Sequence, residues 1–142
     1  MNAQISTLDM EKCMALQQAA ACASAVTDMA LICHKLALLS GWHSSVVPTG
    51  KDLLLKKAAM IALEHSELSE SLEGVRKDTM DSHLPHRKAE EVEAADAIIR
   101  IFDRMALGGY DIGGAILEKL QYNARRADHT PEARAADNGK KF

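Results

Sequence analysis

Apolar positions recur at helical spacing in four stretches of this chain, and turn residues separate them. From Thr7 to Ser40 no proline or glycine interrupts a run rich in Ala, Leu, Met and Gln. One long helix is expected there, with Thr7 as a candidate N-cap and Gly41 as its stop. Met1 to Ser6 reads as a frayed start. A second helix is expected from Lys51 to Arg76. At about 100° per residue, Leu54, Ile61, Leu68 and Leu72 form a single apolar stripe that should face a core. His65 falls in that stripe and reads as a core histidine held by a hydrogen bond. A third helix, from Pro85 to Leu107, is apolar over more than half its circumference (Ile98, Ile99, Ile101, Phe102, Met105), with Pro85 suited to its first turn. Gly108 and Gly109 break it. Asp111 can cap a fourth helix, from Ile112 to Asp128, and the polar tail from Thr130 to Phe142 should lie loosely on the surface.

The pattern therefore predicts an all-α fold, a bundle of four main antiparallel helices, with residues 1–129 as one domain. The length of 142 residues and the 47% apolar content suit one hydrophobic core. Helices one and three carry more apolar surface than one small bundle can cover, so a homodimer or homotetramer is expected. A net charge of -3 argues against a nucleic-acid polymer as partner. No apolar run reaching the ~18 residues of a membrane span stands out, and the start lacks the basic-then-apolar order of a signal peptide. Cys13, Cys22 and Cys33, at spacings of nine and eleven, fit no zinc pattern and read as reduced packing residues. A cytoplasmic protein is expected.

Polar residues in unusual places carry the candidate chemistry. Glu64 and Glu67 stand three apart on the second helix, beside its apolar stripe rather than opposite it, with Glu70 one step further round. Glu93 and Asp96 stand three apart on the third helix. Residues at that spacing share a face, so two adjacent helices would aim these carboxylates at one point. Such a group calls for a cation, and oxygen-only ligands suit magnesium or manganese. The structural alternative is a salt-bridge ladder through Arg100, which lies with Asp103 on the same charged strip. Trp42 either plugs the end of the bundle or offers an aromatic platform to a flat ligand. On the fourth helix Lys119, Asn123 and Arg126 share a face, either as a phosphate clamp or as a solvated surface.

With these residues in hand, ALEHSELSESLEG, EEVEAADAIIRIFD and EKLQYNARRADH, the sequence resembles the MazG-like all-α nucleotide pyrophosphohydrolases. That superfamily also includes dimeric dUTPases and phosphoribosyl-ATP pyrophosphohydrolase. The family's ExxE is matched by Glu64 to Glu67, its ExxD by Glu93 to Asp96, and its KxxxNxxR by Lys119, Asn123 and Arg126. The likeness covers Trp42 to His129 and leaves most of the first helix unmatched. Leu63 stands where many members have a second glutamate, and the ELSE form of phage-type sequences leaves either Glu64 or Glu70 as the partner of Glu67. The resemblance implies cleavage of a nucleoside triphosphate to a monophosphate and pyrophosphate. Two or three magnesium or manganese ions would be held by Glu64, Glu67, Glu70, Glu93 and Asp96. It further implies Glu67 as the general base, Lys119, Asn123 and Arg126 at the phosphates, and Trp42 on the base. The phage-associated look favours a purine deoxynucleotide, dGTP first, and a host cytoplasm if the chain is phage-encoded.

Two other readings compete. A di-iron carboxylate bundle needs Glu-x-x-His pairs, and no histidine here stands three after a glutamate. A non-catalytic helical nucleotide sensor or interaction module would carry the same carboxylates as internal salt bridges or surface charge.

Overall fold

The computed structural model describes residues 7–44 and 46–139. The expected frayed start and the last residues of the tail lie outside them. Among the described residues the chain is all-α, as the apolar pattern predicts. Helix α1 spans Thr7–Leu39, α2 Gly50–Lys77, α3 Ala89–Leu107 and α4 Ile112–Ala124, and a single 3-10 turn at Ala127–His129 leads into the short α5, Pro131–Ala135. The chain forms two compact units: Met1–Thr27 with Asp111–Phe142, and Asp28–Tyr110.

The larger unit is built on α2 and α3, which lie antiparallel. Glu64 meets Arg104, Glu67 meets Arg100, and further along Ser71 Oγ donates to the Glu90 carbonyl at 3.1 Å. The helices approach closely at Gly74. A Cβ placed there would stand 2.6 Å from the Glu90 backbone nitrogen, so a hydrogen is the largest side chain this crossing accepts. Helix α2 ends on Asp78, whose φ of 50° puts a non-glycine residue in the left-handed region that helix stops use. Lys88 holds its carboxylate at 2.6 Å. Buried Asp81 then organises the connection: its Oδ1 accepts from the backbone N–H groups of His83 (2.9 Å) and Leu84 (2.6 Å). Those two bonds keep its carboxyl below the usual aspartate range, the Leu84 N–H contributing most.

Pro85 does not start α3. The Arg87 N–H donates to the Leu84 carbonyl, which makes Pro85 the second residue of a four-residue turn, and the helix begins four residues later at Ala89. A proline ring's fixed φ serves a turn and a first helical turn equally well, so the sequence signal is ambiguous. In the smaller unit Thr27 Oγ accepts from the Gly113 N–H (3.0 Å) and donates to Asp111 (2.7 Å). A Cβ on Gly113 would overlap the Ala23 carbonyl, so α1 and α4 cross backbone to backbone. Asp111 caps α4 as expected, accepting from Gly114, but the helix ends at Ala124 rather than Asp128. Part of the tail expected to be loose is ordered: Thr130 accepts from the Ala133 N–H and caps α5. Thr7 lies within α1 rather than capping it.

The core is where the sequence misleads most. Leu54, Ile61, Leu68 and Leu72 are exposed, at 68%, 40%, 52% and 60%. Glu64 and Glu67, each 7% exposed, take the inward position instead. His65 is exposed rather than in a core. The buried apolar residues are small: Ala30, Cys33 and Ala97. Cys13 and Cys22 are exposed and free, so of the three cysteines Cys33 alone packs. Helix α1, contrary to expectation, is long and apolar enough to cross a membrane by length and composition. Core helices of other proteins meet the same test.

The Gly74 contact gives a direct check. Gly74→Ala gains about 1 kcal/mol of helix propensity but forces a backbone clash of the kind that costs about 1–3 kcal/mol. The expected net outcome is a loss of up to about 2 kcal/mol, seen as a lower midpoint in thermal or urea denaturation.

Candidate functional site

The seam between α2 and α3 is polar, and its charges do not balance. Glu64 is taken by Arg104 in a two-pronged pair, Nε to Oε1 at 2.5 Å and Nη2 to Oε2 at 2.9 Å. Glu67 stands 2.7 Å from Arg100 Nε, close enough for an ion pair but at an angle that makes no hydrogen bond. The salt-bridge ladder that the sequence offers as its structural alternative is therefore present, with Arg104 as a second rung one helical turn past Arg100. Among the described residues no ion pair reaches Glu93 or Asp96. Oxygens of Glu67, Glu93 and Asp96 all lie within 4.8 Å of one another.

Glu93 registers the crowding. Its pKa is raised above the usual glutamate range, first by burial, then by the negative charges of Glu70, Glu67 and Asp96, and by a hydrogen bond shared with Glu67. Three carboxylates from two helices make an oxygen-only donor set, the set that fits a hard dication and suits zinc or copper poorly. Glu70 is exposed and reaches this group through its field; Glu64 faces Arg104 rather than the group.

A cavity of about 450 Å³ opens beside the seam, lined in part by Trp42, His43, Met60, Asp96, Arg100 and Asp103. Trp42 is 78% exposed, so within this chain it plugs nothing; it forms one wall of the cavity. Opposite the carboxylates sits a second polar group. His34 Nδ1 lies 2.7 Å from Asp103 Oδ1, and His43 Nε2 lies 2.8 and 2.7 Å from the two Asp103 oxygens. The two imidazoles are 5.2 Å apart, centroid to centroid. Cys33, on the cavity wall, has its thiol pKa pushed up by burial and by the Asp103 charge, so it is held protonated and unreactive.

Lys119, Asn123 and Arg126 belong to the other unit. Lys119 Nζ rests 4.7 Å above the Tyr122 ring, and Arg126 is engaged by Asp128 at 2.9 and 2.5 Å. That pairing drives the Asp128 carboxyl down to about 2. The Asn123 side-chain oxygen is buried with no hydrogen-bond partner.

Compared with known protein families, with curated proteins and with solved structures, the chain matches none. Sequence reasoning missed Arg104, although its spacing of four from Arg100 on one helix face was a usable signal. It also missed the convergence of His34 and His43 on Asp103, for which no local pattern exists.

Glu93 yields a pH prediction. Because the folded state holds this proton more tightly than the unfolded chain does, stability falls as pH rises from the ordinary glutamate range through the raised value, and it stays lower at neutral pH. Glu93→Gln removes that penalty. In metal-free buffer the variant should melt above the parent at pH 7, and the difference should vanish below roughly pH 4, where both forms are neutral. A variant melting at or below the parent at pH 7 would contradict the crowding.

Proposed function

We propose that this chain is a metal-dependent nucleoside triphosphate pyrophosphohydrolase, releasing a monophosphate and pyrophosphate. The observation that carries the reading is the meeting of Glu67, Glu93 and Asp96 within 4.8 Å, with Asp96 also on the wall of a cavity that Trp42 flanks. Three carboxylates brought this close, beside a cavity of nucleotide size, are a reason for divalent ions and a polyphosphate to share one site. The motif resemblance adds order and spacing to that geometry. It alone supports the preference for a purine deoxynucleotide, dGTP first.

Magnesium or manganese, when bound, supplies positive charge against the triphosphate and acidifies a water. The chain's residues do the rest. Glu67, Glu93 and Asp96 are the ligands at hand, with Glu70 able to join from its exposed position. Glu67 takes the proton of the attacking water. To do so its carboxylate has to turn from Arg100, which is then free to meet a phosphate oxygen. Trp42 offers its ring to the base. Lys119, Asn123 and Arg126 are proposed for the phosphates on the motif alone; Arg126 has to leave Asp128 first.

A rival reading, an interaction module without catalysis, draws support from the salt-bridge ladder, since Glu64–Arg104 and Glu67–Arg100 satisfy two of the acids without metal. Incubation with the common nucleoside triphosphates, followed by pyrophosphate detection, separates the two. The parent should turn over with magnesium or manganese and should gain thermal stability from either ion. Glu67→Gln should lose at least about 1,000-fold in turnover, the upper part of the range for a general base with some loss of metal, while keeping its circular dichroism. Near-normal turnover in that variant would remove Glu67 from the mechanism.

The same reading includes a homodimer or homotetramer, with the bundle of four long helices completed between copies. Its support is the outward apolar side of α2 and α1, where Leu54, Leu68, Leu72, Leu36 and Leu39 are all more than half exposed. Burying one such side chain is worth about 1.5–3 kcal/mol, so this set rivals the ~5–15 kcal/mol that stabilises a whole domain. A membrane is the less suitable cover for α1, because Asp28 lies exposed within the apolar run and a carboxylate in hydrocarbon costs about 3 kcal/mol or more. Sedimentation at micromolar concentration should give a dimer or tetramer, and Leu68→Glu with Leu72→Glu should dissociate it. A clean monomer in the parent would overturn the assembly.

A further inference from the structure

His34, His43 and Asp103 come from three places: α1, the segment after it, and α3. Their donor atoms meet at one point, with both imidazoles 2.7–2.8 Å from the same carboxylate. All three are withdrawn from solvent, with side chains 18%, 6% and 14% exposed, yet His43 and Asp103 line the 450 Å³ cavity, so the point is shielded but reachable. We propose that these three residues form a second metal site, distinct from the carboxylates of the α2–α3 seam, for a borderline transition-metal dication of the zinc class.

The donor chemistry selects the ion. Two imidazole nitrogens and one carboxylate oxygen are the ligands of open zinc and ferrous sites, whereas magnesium discriminates against nitrogen. Bonds of about 2.0–2.2 Å around such an ion place its ligand atoms roughly 3.0–3.5 Å apart. The present separations are a few tenths of an ångström shorter, so an ion enters by replacing the hydrogen bonds with coordination and a small rotation of Asp103. Each neutral imidazole then carries its proton on the ring nitrogen away from the metal. For His43 that is Nδ1, which is buried and has no hydrogen-bond partner, so moving the proton there breaks nothing. Three protein ligands leave a position open towards the cavity, the arrangement of a site that binds an exogenous ligand rather than one that only braces a fold.

The test uses the full chain, stripped with chelator and then held in excess magnesium so that the carboxylate seam is occupied. Titration calorimetry with zinc, and visible absorption with cobalt(II), should report one tight ion per chain. His43→Ala and Asp103→Asn, each checked by circular dichroism, should weaken zinc more than about 100-fold, beyond the 10–100-fold typical of an outer partner. Glu93→Gln should leave zinc binding unchanged. On the unaltered protein, histidine side-chain NMR should show two imidazoles moving on zinc addition, a readout that does not depend on any variant folding. Zinc binding that survives loss of His43, zinc that moves no histidine signal, or no zinc binding by the parent would each overturn the site and leave a hydrogen-bonded His–Asp–His network.

Discussion

The α2–α3 pair depends on an unusual choice of face. Helix α2 turns Glu64 and Glu67 inward and much of its apolar surface outward. The inward strip is held by two guanidiniums, Arg100 and Arg104, against Glu67 and Glu64. Buried ion pairs of this kind contribute little net stability over an apolar contact, because each charge first loses its water. They are specific, however. A slip of one residue in α3 would leave Glu64, 7% exposed, with no cation in reach, and an uncompensated buried charge costs several kcal/mol. The ladder therefore fixes the register of the two helices, and the register is what brings Glu93 and Asp96 opposite Glu67.

That register produces both a surplus of negative charge and a lack of apolar cover. Like charges at contact distance repel by about 1 kcal/mol per pair at the dielectric of water and by several times that where partly desolvated. The raised pKa of Glu93 reflects its burial first and this repulsion second. On the far side of the same helices, leucines that a solitary domain would bury stand in the open. One rotation of α2 about its axis accounts for both facts: the turn that buries Glu64 and Glu67 is the turn that exposes Leu68 and Leu72. On the proposed reading, an ion relieves one consequence and a second copy of the chain relieves the other.

How much of this the sequence discloses follows from the range of each interaction. The helices were legible because propensity and the lack of proline or glycine act within a few residues; α2 begins and ends one residue from expectation. Their ends were less so where one residue serves two roles, as Pro85 does. The border position of Glu64 and Glu67 was legible as an anomaly. The face α2 presents was not, because the leucine stripe and the glutamates compete for the inward side. Arg100 and Arg104, 33 and 40 residues from their partners Glu67 and Glu64, decide that contest. His34, His43 and Asp103 lay further out of reach, since no spacing rule links residues 60 or more apart that meet through loops.

Helix α3 ties these features together by simple geometry. Asp96 and Asp103 are seven residues apart, two turns, so they share a face and stand roughly 10 Å apart along the axis. Arg100 lies between them on that face, and all three line one cavity. Asp96, from the all-oxygen group, therefore lines one part of the cavity and Asp103 with His43, from the nitrogen-rich group, another, with Arg100 between. The separation exceeds what one ion can bridge, so whatever binds at the two ends binds independently in the first coordination sphere. It is also close to the length of a triphosphate, so a single extended anion held at the Asp96 end could reach the Asp103 end. On the proposed reading a ligand of that length senses both groups at once, and α3, rather than the apolar stripe of α2, is the element on which that chemistry turns.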